Sequence, residues 1–233
     1  MIIGTGLIAR SLIGADFGRP VLVLASGVSN SQENRSEAFQ REANLVAREI
    51  SKHKDLHTIY CSTCSVESGI ATPYTSHKLQ MEHYIIKNSR SCHIFRLPQV
   101  VGLVKNRTLV SYFVDLVLKN QDIKVQKYAT RNLLDVRDFA RIAQIAVRNG
   151  LGIGKAQNIA TATQIPVLAI VEEIAKILKR EVHIETLETG YSQEINIDFL
   201  RSLLPSDDPI FDPQGWKKVL QYYVPLIAAE MKS

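Results

Sequence analysis

The 233 residues are 45% hydrophobic and 22% charged, which is enough chain to bury a large core and excludes disordered, collagenous and coiled-coil classes. The net charge of +5, from 28 Lys and Arg against 23 Asp and Glu, is too small to predict nucleic-acid binding. Three cysteines favour a reducing compartment, and no apolar run reaches the ~18 residues of a membrane span. We therefore expect a cytoplasmic protein that binds neither nucleic acid nor membrane.

Short apolar runs alternate with amphipathic segments through the first half of the chain. The predicted strands cover 1–3, 20–25, 57–62 and 91–97, and the predicted helices cover 7–13, 36–52 and 73–88. Strands that alternate with helices and carry no polar alternation are typical of a parallel sheet covered on both faces. The sequence therefore predicts an α/β fold with a doubly wound, Rossmann-like sheet.

The second half continues with helices and a few short strands. Helices are predicted over 108–118, 135–148 and 166–178 and after residue 214, with strands over 157–160 and 182–186 and a turn over 205–213. We expect a Rossmann-like domain over residues 1–160 and a small α+β lobe over residues 161–233 that packs on it.

A glycine turn follows the first predicted strand. The sequence Gly4-Thr5-Gly6-Leu7-Ile8-Ala9 is a G-x-G-x-x-A pattern between a strand and a helix. Glycines at these positions allow the backbone to approach a pyrophosphate, which the helix N–H groups then bind. The pattern alone is also compatible with a tight turn that holds no ligand.

A tyrosine and a lysine lie four positions apart on the helix predicted from Pro73. Tyr74 and Lys78 therefore share one face of that helix. An adjacent ammonium favours the phenolate, so we expect a lowered pKa for Tyr74 and a role in proton transfer. The preceding strand ends in Ser62-Thr63-Cys64-Ser65, which offers hydroxyl groups at the sheet edge where ligands bind.

These features together resemble the extended short-chain dehydrogenase/reductase family of NAD(P)-dependent nucleotide-sugar epimerases, dehydratases and reductases. The motifs that carry the resemblance occur in the family's order, and they are Gly4 to Ala9, Ala25 to Ser29, Asn44, Ser62 to Ser65, Tyr74 with Lys78, Arg96 to Gly102, and Arg131 to Asp138. The resemblance spans nearly the whole chain. It implies the same doubly wound fold and NAD or NADP as the cofactor, with the preference between the two left open.

The resemblance also implies roles for individual residues. Tyr74 would be the general acid/base, Lys78 would lower its pKa and hold the nicotinamide ribose, and Thr63 or Ser65 would bind the reacting oxygen. The residues that would bind the cofactor are Gly4, Gly6, Leu7, Ile8, Ala25, Ser26, Gly27, Asn44, Tyr74, Lys78, Pro98 and Val100. Those that would bind the substrate are Ser29, Arg96, Gln99 and Arg131. A homodimer through the helix that carries Tyr74 is implied as well.

The chain departs from the family's pattern between Ile13 and Pro20. The strand that reads the adenosine ribose, and the helix and strand after it, are expected there but do not fit in the space. Two functions follow as alternatives. The first is an NAD(P)-dependent oxidoreductase or epimerase for a nucleotide-linked sugar, in surface-polysaccharide synthesis; the second is a non-catalytic nucleotide or nucleotide-sugar binding protein that has lost the adenosine half of the site.

Two further patterns are interpreted as structural. Cys61-Ser62-Thr63-Cys64 is a C-x-x-C sequence without the second pair or the nearby histidines of a zinc site, so we expect no bound metal. His77 lies between Tyr74 and Lys78 in sequence and is expected to be exposed on another side of the helix.

Overall fold

The computed structural model describes residues 1–104 and 108–231. They form two compact units, each built from three stretches of chain. The first unit comprises Met1–Leu97, Arg137–Ile159 and Ile195–Pro205; the second takes its described residues from Pro98–Val136, Ala160–Glu194 and Ser206–Ser233. The expected boundary after residue 160 stays a prediction.

The first unit contains a five-stranded parallel sheet whose strands are paired in the order in which they occur in the chain. Its strands are β1 (Ile2–Ile3), β2 (Val21–Leu24), β3 (His57–Thr63), β4 (Cys92–Leu97) and β9 (Ala156–Asn158). The helices of this unit are α1 (Leu7–Ser11), α2 (Ser36–Lys52), α3 (Pro73–Asn88), α5 (Val136–Asn149) and α7 (Asp198–Leu203). The predicted α/β, Rossmann-like fold is confirmed.

Helices cover both faces of this sheet. On one face, Leu22, Tyr60 and Ile94 pack with Val46 of α2 and Ile85 of α3 in a shared core. Side chains alternate along a strand, so Phe95 points to the opposite face, where its ring lies 6.1 Å from that of Phe139 in α5. The strands are therefore buried on both sides, which explains why their sequences carry no polar alternation.

Each strand of this sheet lies beside the next one along the chain, in the order β1-β2-β3-β4-β9. Among the described residues, β1 pairs with β2 alone and forms the edge of the sheet. The chain between Ile3 and Val21 contains α1 and turns, so the strand expected to read adenosine is not formed there. The predicted truncation of the Rossmann-like fold therefore lies at this edge.

The second unit has a separate core around three helices, α4 (Leu109–Leu118), α6 (Val167–Leu178) and α8 (Gly215–Glu230). Three two-stranded pairings accompany them: β5 (Gln99–Val101) with β8 (Leu133–Asp135), β6 (Ile123–Gln126) with β11 (Ile184–Leu187), and β7 (Thr130–Arg131) with β10 (Ile165–Pro166). The sequence analysis missed most of these strands, because two to four residues are too few to show a period. No helix in the described part of the chain is long and apolar enough to span a membrane.

Candidate functional site

Tyr74 and Thr63 meet at the carboxyl end of the sheet in the first unit. Thr63 ends β3, and Tyr74 lies in the first turn of α3, which Thr72 caps with its side chain. The Thr63 side chain acts on the Tyr74 phenol and lowers its pKa. Ser65 instead donates its backbone N–H to Thr63 Oγ1 at 3.2 Å. Of the two hydroxyls left open by the sequence, Thr63 is the one that influences the pKa of Tyr74.

The expectation of a lowered pKa for Tyr74 is wrong. Burial raises the pKa of Tyr74 to about 12, and the negative charge of Glu42 adds to this effect, while the hydrogen bond from Thr63 opposes it. Lys78 Nζ lies 5.9 Å from the centroid of the Tyr74 ring. The ammonium is on the expected face of α3, but it is bound to other groups.

Lys78 is paired with a buried carboxylate. Its Nζ lies 2.9 Å from Glu42 Oε1 and donates a second hydrogen bond to the Tyr60 hydroxyl at 3.1 Å. Lys78 and Glu42 are only 3% exposed each. The positive charge expected to act on Tyr74 is therefore compensated by Glu42.

Glu42 accepts hydrogen bonds from four donors in this structure. Besides Lys78, they are the Tyr60 hydroxyl at 2.7 Å, the Val28 backbone N–H at 2.8 Å and His77 Nε2 at 3.0 Å. Burial acts to raise the pKa of Glu42, but His77 and Lys78 outweigh it and lower this pKa to about 2. Glu42 is therefore ionised at neutral pH. We refer to Glu42, Tyr60, His77 and Lys78 as the Glu42 cluster.

The sequence analysis did not identify Glu42, although one feature indicated it. Phe39 and Val46 lie three positions before and four positions after it on α2, so Glu42 shares the apolar face of that helix. The expectation that His77 is exposed is wrong. His77 is 6% exposed, because Glu42 provides a buried partner for its ring and Phe39 packs 4.8 Å from it.

Two of the predicted cofactor glycines have a structural reason to be glycine. Gly4 has a φ of +134°, and a Cβ there would collide with the backbone of Ala25. A Cβ on Gly27 would lie 2.9 Å from Lys78 Nζ and closer still to Glu42 Oε1. Gly6 differs, because a Cβ there would meet no atom within 4 Å.

A cavity of about 860 Å³ lies beside the Glu42 cluster, between the end of β2 and α2. It brings together three of the predicted cofactor residues, Ser26, Gly27 and Asn44, and Asn44 Oδ1 accepts a hydrogen bond from Gln40 at 2.8 Å. Its other lining residues are Val28, Ser36, Glu37, Ala38, Gln40, Arg41, Glu42, Leu45 and Arg48. The volume is within the range of small-molecule sites.

Arg96 forms a second, half-buried polar group near the ends of β3 and β4. Its guanidinium binds Glu82 with an Nη2–Oε2 distance of 2.6 Å and also pairs with Glu67. The Ser62 hydroxyl donates to Glu82 Oε1 at 2.5 Å. These contacts fasten α3 to the sheet; the substrate-binding role of Arg96 stays a prediction.

The remaining predicted site residues are divided between the two units. Leu7 and Ile8 are half-buried in α1, Ala25 is half-buried after β2, and Ser29 is exposed. Four belong to the second unit, namely Pro98, Gln99, Val100 and Arg131. Within that unit, Val100 pairs with Leu134, and Arg131 Nη1 donates to the Thr130 carbonyl at 2.6 Å.

The cysteines have the environment of structural residues. Burial raises the pKa of Cys61 to about 12 and also raises that of Cys64. No cluster of three or more potential metal ligands occurs within residues 1–104 and 108–231.

In fold, the chain is similar to nucleotide-sugar epimerases and dehydratases. One such structure is UDP-N-acetylglucosamine 4-epimerase from Methanobrevibacter ruminantium, with a TM-score of 0.77 and 13% identity over 95% of this chain and 82% of that one. Another is dTDP-glucose 4,6-dehydratase from Bacillus anthracis in complex with NAD. It has a TM-score of 0.67 and 15% identity over 88% of this chain and 72% of that one.

A third similar structure is UDP-glucose 4-epimerase from Thermus thermophilus in complex with NAD, with a TM-score of 0.66 and 13% identity over 93% of this chain and 81% of that one. No family model matches the sequence, and no curated protein matches it significantly. At these identities the similarity shows the fold and leaves the activity to be proposed.

Proposed function

We propose that this protein is an NAD(P)-dependent oxidoreductase or epimerase that acts on a nucleotide-linked sugar. The observation that carries the proposal is the convergence of Thr63, Tyr74 and Lys78 at the carboxyl ends of parallel strands, beside a cavity of small-molecule size. The similar folds of nucleotide-sugar epimerases and dehydratases support it. In this proposal, Tyr74 exchanges a proton with the reacting oxygen and Thr63 orients that oxygen.

The residues around Gly27 fit the nicotinamide end of a dinucleotide. Gly27 lines the cavity next to Lys78, and a Cβ at this position would fill the space between the cavity and the Lys78 ammonium. Ser26, Gly27, Asn44 and Lys78 would hold the group, and Lys78 has a third N–H beyond the two bonds described above. When bound, the dinucleotide supplies two electrons and one hydrogen to a carbon of the sugar, or accepts them from it.

Tyr74→Phe tests this function directly. The variant keeps the ring but loses the only proton that Tyr74 can transfer, so we expect turnover of UDP-, GDP- or dTDP-sugars with NAD(P) to fall by at least about 100-fold. The measurements are nicotinamide absorbance for net oxidation or reduction and chromatography of the sugar product for epimerisation, with circular dichroism to confirm folding. Tyr84→Phe, at an exposed position of the same helix, is the matched control and should leave turnover unchanged. Full turnover in the Tyr74 variant would show that the assignment is wrong.

A second candidate is a non-catalytic protein that binds a nucleotide or nucleotide-linked sugar. Two observations favour it: the pairing of Lys78 with Glu42, and the position of β1 at the edge of the sheet, without an adenosine-reading strand between Ile3 and Val21. Titration with NADH and NADPH, followed by fluorescence and thermal stability, separates the candidates. Saturable micromolar binding supports the oxidoreductase; no binding at millimolar concentration, with stabilisation by a nucleotide sugar, supports the second candidate.

We also propose a homodimer formed through α3, a cytoplasmic location and a role in surface-polysaccharide synthesis. The apolar residues Tyr84 and Ile86 on the exposed side of α3 support the dimer. Light scattering on the purified protein would measure the oligomeric state, and a monomer at micromolar concentration would contradict the dimer.

A further inference from the structure

The helix α8 in the second unit exposes apolar side chains along one side. Tyr222 is 49% exposed and Leu226 is 38% exposed, and the neighbouring Pro225 and Ala229 are exposed as well. These four residues are three or four positions apart, so they form one continuous row on the helix, which we call the α8 row. The opposite side of α8, which includes Val224, is buried in the core of the second unit. A continuous apolar row, unlike single scattered residues, is typical of a protein–protein interaction site.

Charged side chains of opposite sign lie at the two ends of the α8 row. Lys218 lies four positions before Tyr222, Glu230 lies four positions after Leu226, and both charged residues are exposed. Because residues four apart share one side of a helix, both of them continue the row. Lys218 Nζ lies 2.8 Å from Asp212 Oδ2, but the lysine side chain is still 76% exposed. The row is therefore positive at its amino end, apolar in the middle and negative at its carboxyl end.

This order of side chains is complementary to itself when two copies of the helix run antiparallel. Lys218 and Glu230 are placed symmetrically about position 224, and so are Tyr222 and Leu226. Lys218 of one copy then lies beside Glu230 of the other, and Tyr222 lies beside Leu226. Rows of residues four apart pack side by side in the commonest class of helix crossing. Because such a pair has a two-fold axis, both Lys–Glu contacts form at once.

The charges of α8 also favour an antiparallel neighbour through the helix dipole. Lys217 and Lys218 lie in the first turn of α8, and Glu230 lies in its last turn. The dipole of a helix favours acidic groups at its amino end and basic groups at its carboxyl end, so α8 has the opposite arrangement. In an antiparallel pair, the lysines of each copy lie beside the carboxyl end of the other helix, and Glu230 lies beside its amino end.

We propose that the α8 row is an interface between two copies of this chain, which pack antiparallel with a Lys218–Glu230 ion pair at each end. The residues of the row lose little freedom when they are covered. Pro225 and Ala229 have no side-chain rotamers to lose, and the Tyr222 ring already packs against Tyr223, with 4.9 Å between the ring centroids.

The size of this interface determines how the protein associates. One helix pair buries less than the total of about 1,200 Å² that is usual for stable complexes, so we expect a dimer that forms with rising concentration. The interface belongs to the second unit, whereas the dimer proposed through α3 belongs to the first. It does not depend on dinucleotide binding or on turnover.

Charge reversal tests the contact between the two ends of the row. Lys218→Glu and Glu230→Lys each place like charges side by side, so the dissociation constant of this dimer should rise by at least about 10-fold in either variant. The double variant restores opposite charges and should restore the association. Within one helix the two positions are about 18 Å apart, so this rescue requires a second copy. The Asp212 pair is lost in both variants that change Lys218 and does not account for the rescue.

Sedimentation velocity from micromolar to millimolar concentration measures the dissociation constant, with circular dichroism to confirm folding. Leu226→Glu, in the middle of the row, should remove the association. Lys124→Glu is the matched control, because it makes the same change of charge at an exposed ion pair of the second unit, with Glu185 on β11. It should leave the dissociation constant unchanged.

Cross-linking identifies the contact directly. A mixture of ¹⁴N-labelled and ¹⁵N-labelled protein is treated with a carbodiimide, which joins an ammonium to a carboxylate in contact with it. We expect Lys218–Glu230 peptides with one half from each isotope. Ile86→Glu, on the exposed side of α3, should leave this cross-link in place, which separates it from a dimer through α3. A wild-type protein that stays monomeric at millimolar concentration, an association that Leu226→Glu does not change, or a double variant without rescue would overturn the proposal.

Discussion

The two ends of the sheet in the first unit bury polar side chains in opposite ways. At the carboxyl ends of the strands, the Glu42 cluster contains an ion pair with four donors around one carboxylate. At the amino ends, His57 of β3 and His93 of β4 form a chain without charge. His57 Nδ1 lies 2.5 Å from Ser91 Oγ, His57 Nε2 lies 2.7 Å from His93 Nδ1, and His93 Nε2 donates to the Leu151 carbonyl at 2.8 Å.

The hydrogen bonds of the histidine chain have only one consistent order when both rings are neutral. The Leu151 carbonyl can only accept, so His93 Nε2 carries a proton and His93 Nδ1 accepts from His57. His57 Nδ1 then accepts from the Ser91 hydroxyl. The buried polar side chains are thus stabilised by an ion pair at the carboxyl end of the sheet and by neutral hydrogen bonds at the amino end. The end that carries the ion pair lies beside the cavity.

The largest expected effect comes from breaking the ion pair. Lys78→Met leaves the Glu42 carboxylate buried without its ammonium, so the free energy of unfolding should fall by about 3–5 kcal/mol. Urea denaturation measures it. A loss below about 1 kcal/mol would show that His77, Tyr60 and the Val28 N–H suffice to hold the charge.

Lys119→Met is the matched control for this variant. Lys119 forms an exposed ion pair with Asp115 at 2.8 Å. Asp115 lies in the last turn of α4, and Lys119 follows the end of that helix. Exposed pairs at this spacing contribute about 0.3–0.5 kcal/mol. A similar loss in both lysine variants would contradict the importance of burial.

The two ends should also lose stability in different pH ranges. Burial lowers the pKa of His57 to about 4, with the neighbouring His93 and Arg19 adding to it, whereas unfolded histidine titrates near 6.5. Between these values the unfolded chain binds the proton and the folded chain does not, so stability falls as the pH drops from 6.5 to 4, by roughly 3 kcal/mol.

Glu42 acts in the range below that of His57. Its pKa is lowered to about 2 from an ordinary 4.5, so its contribution is present above pH 4.5 and is lost as the pH falls toward 2. Thermal melting from pH 8 to pH 3, with His57→Gln and Glu42→Gln, separates the two ranges. A wild-type melting temperature that stays constant between pH 6.5 and 4.5 would contradict the neutral histidine chain.

The smallest of these effects is expected for Tyr60→Phe. The variant keeps the buried ring but removes one hydrogen bond to the Glu42 carboxylate, and such bonds to charged groups contribute about 1.5–3 kcal/mol. The measurement is again urea denaturation. A more stable Phe variant would indicate that Lys78, His77 and the Val28 N–H satisfy Glu42 without the Tyr60 hydroxyl.

The fold of the first unit was predictable because its elements are long and periodic. The helices predicted over 36–52 and 73–88 match α2 and α3, since the apolar spacing of α2 and the proline that begins α3 are local properties. The Glu42 cluster was not predictable, because Glu42 and Lys78 are 36 positions apart and only the packing of α2 against α3 brings them together. The predicted direction of the Tyr74 pKa shift was wrong for the same reason.

The contact between Gly27 and Glu42 makes two distant sequence positions interdependent. A Cβ at position 27 would overlap Glu42 Oε1, so alanine there requires the buried carboxylate to shift away from its donors. The effects of the two substitutions should therefore be strongly non-additive, as expected for residues that share one space. In a set of related sequences, the residues at positions 27 and 42 would therefore change together.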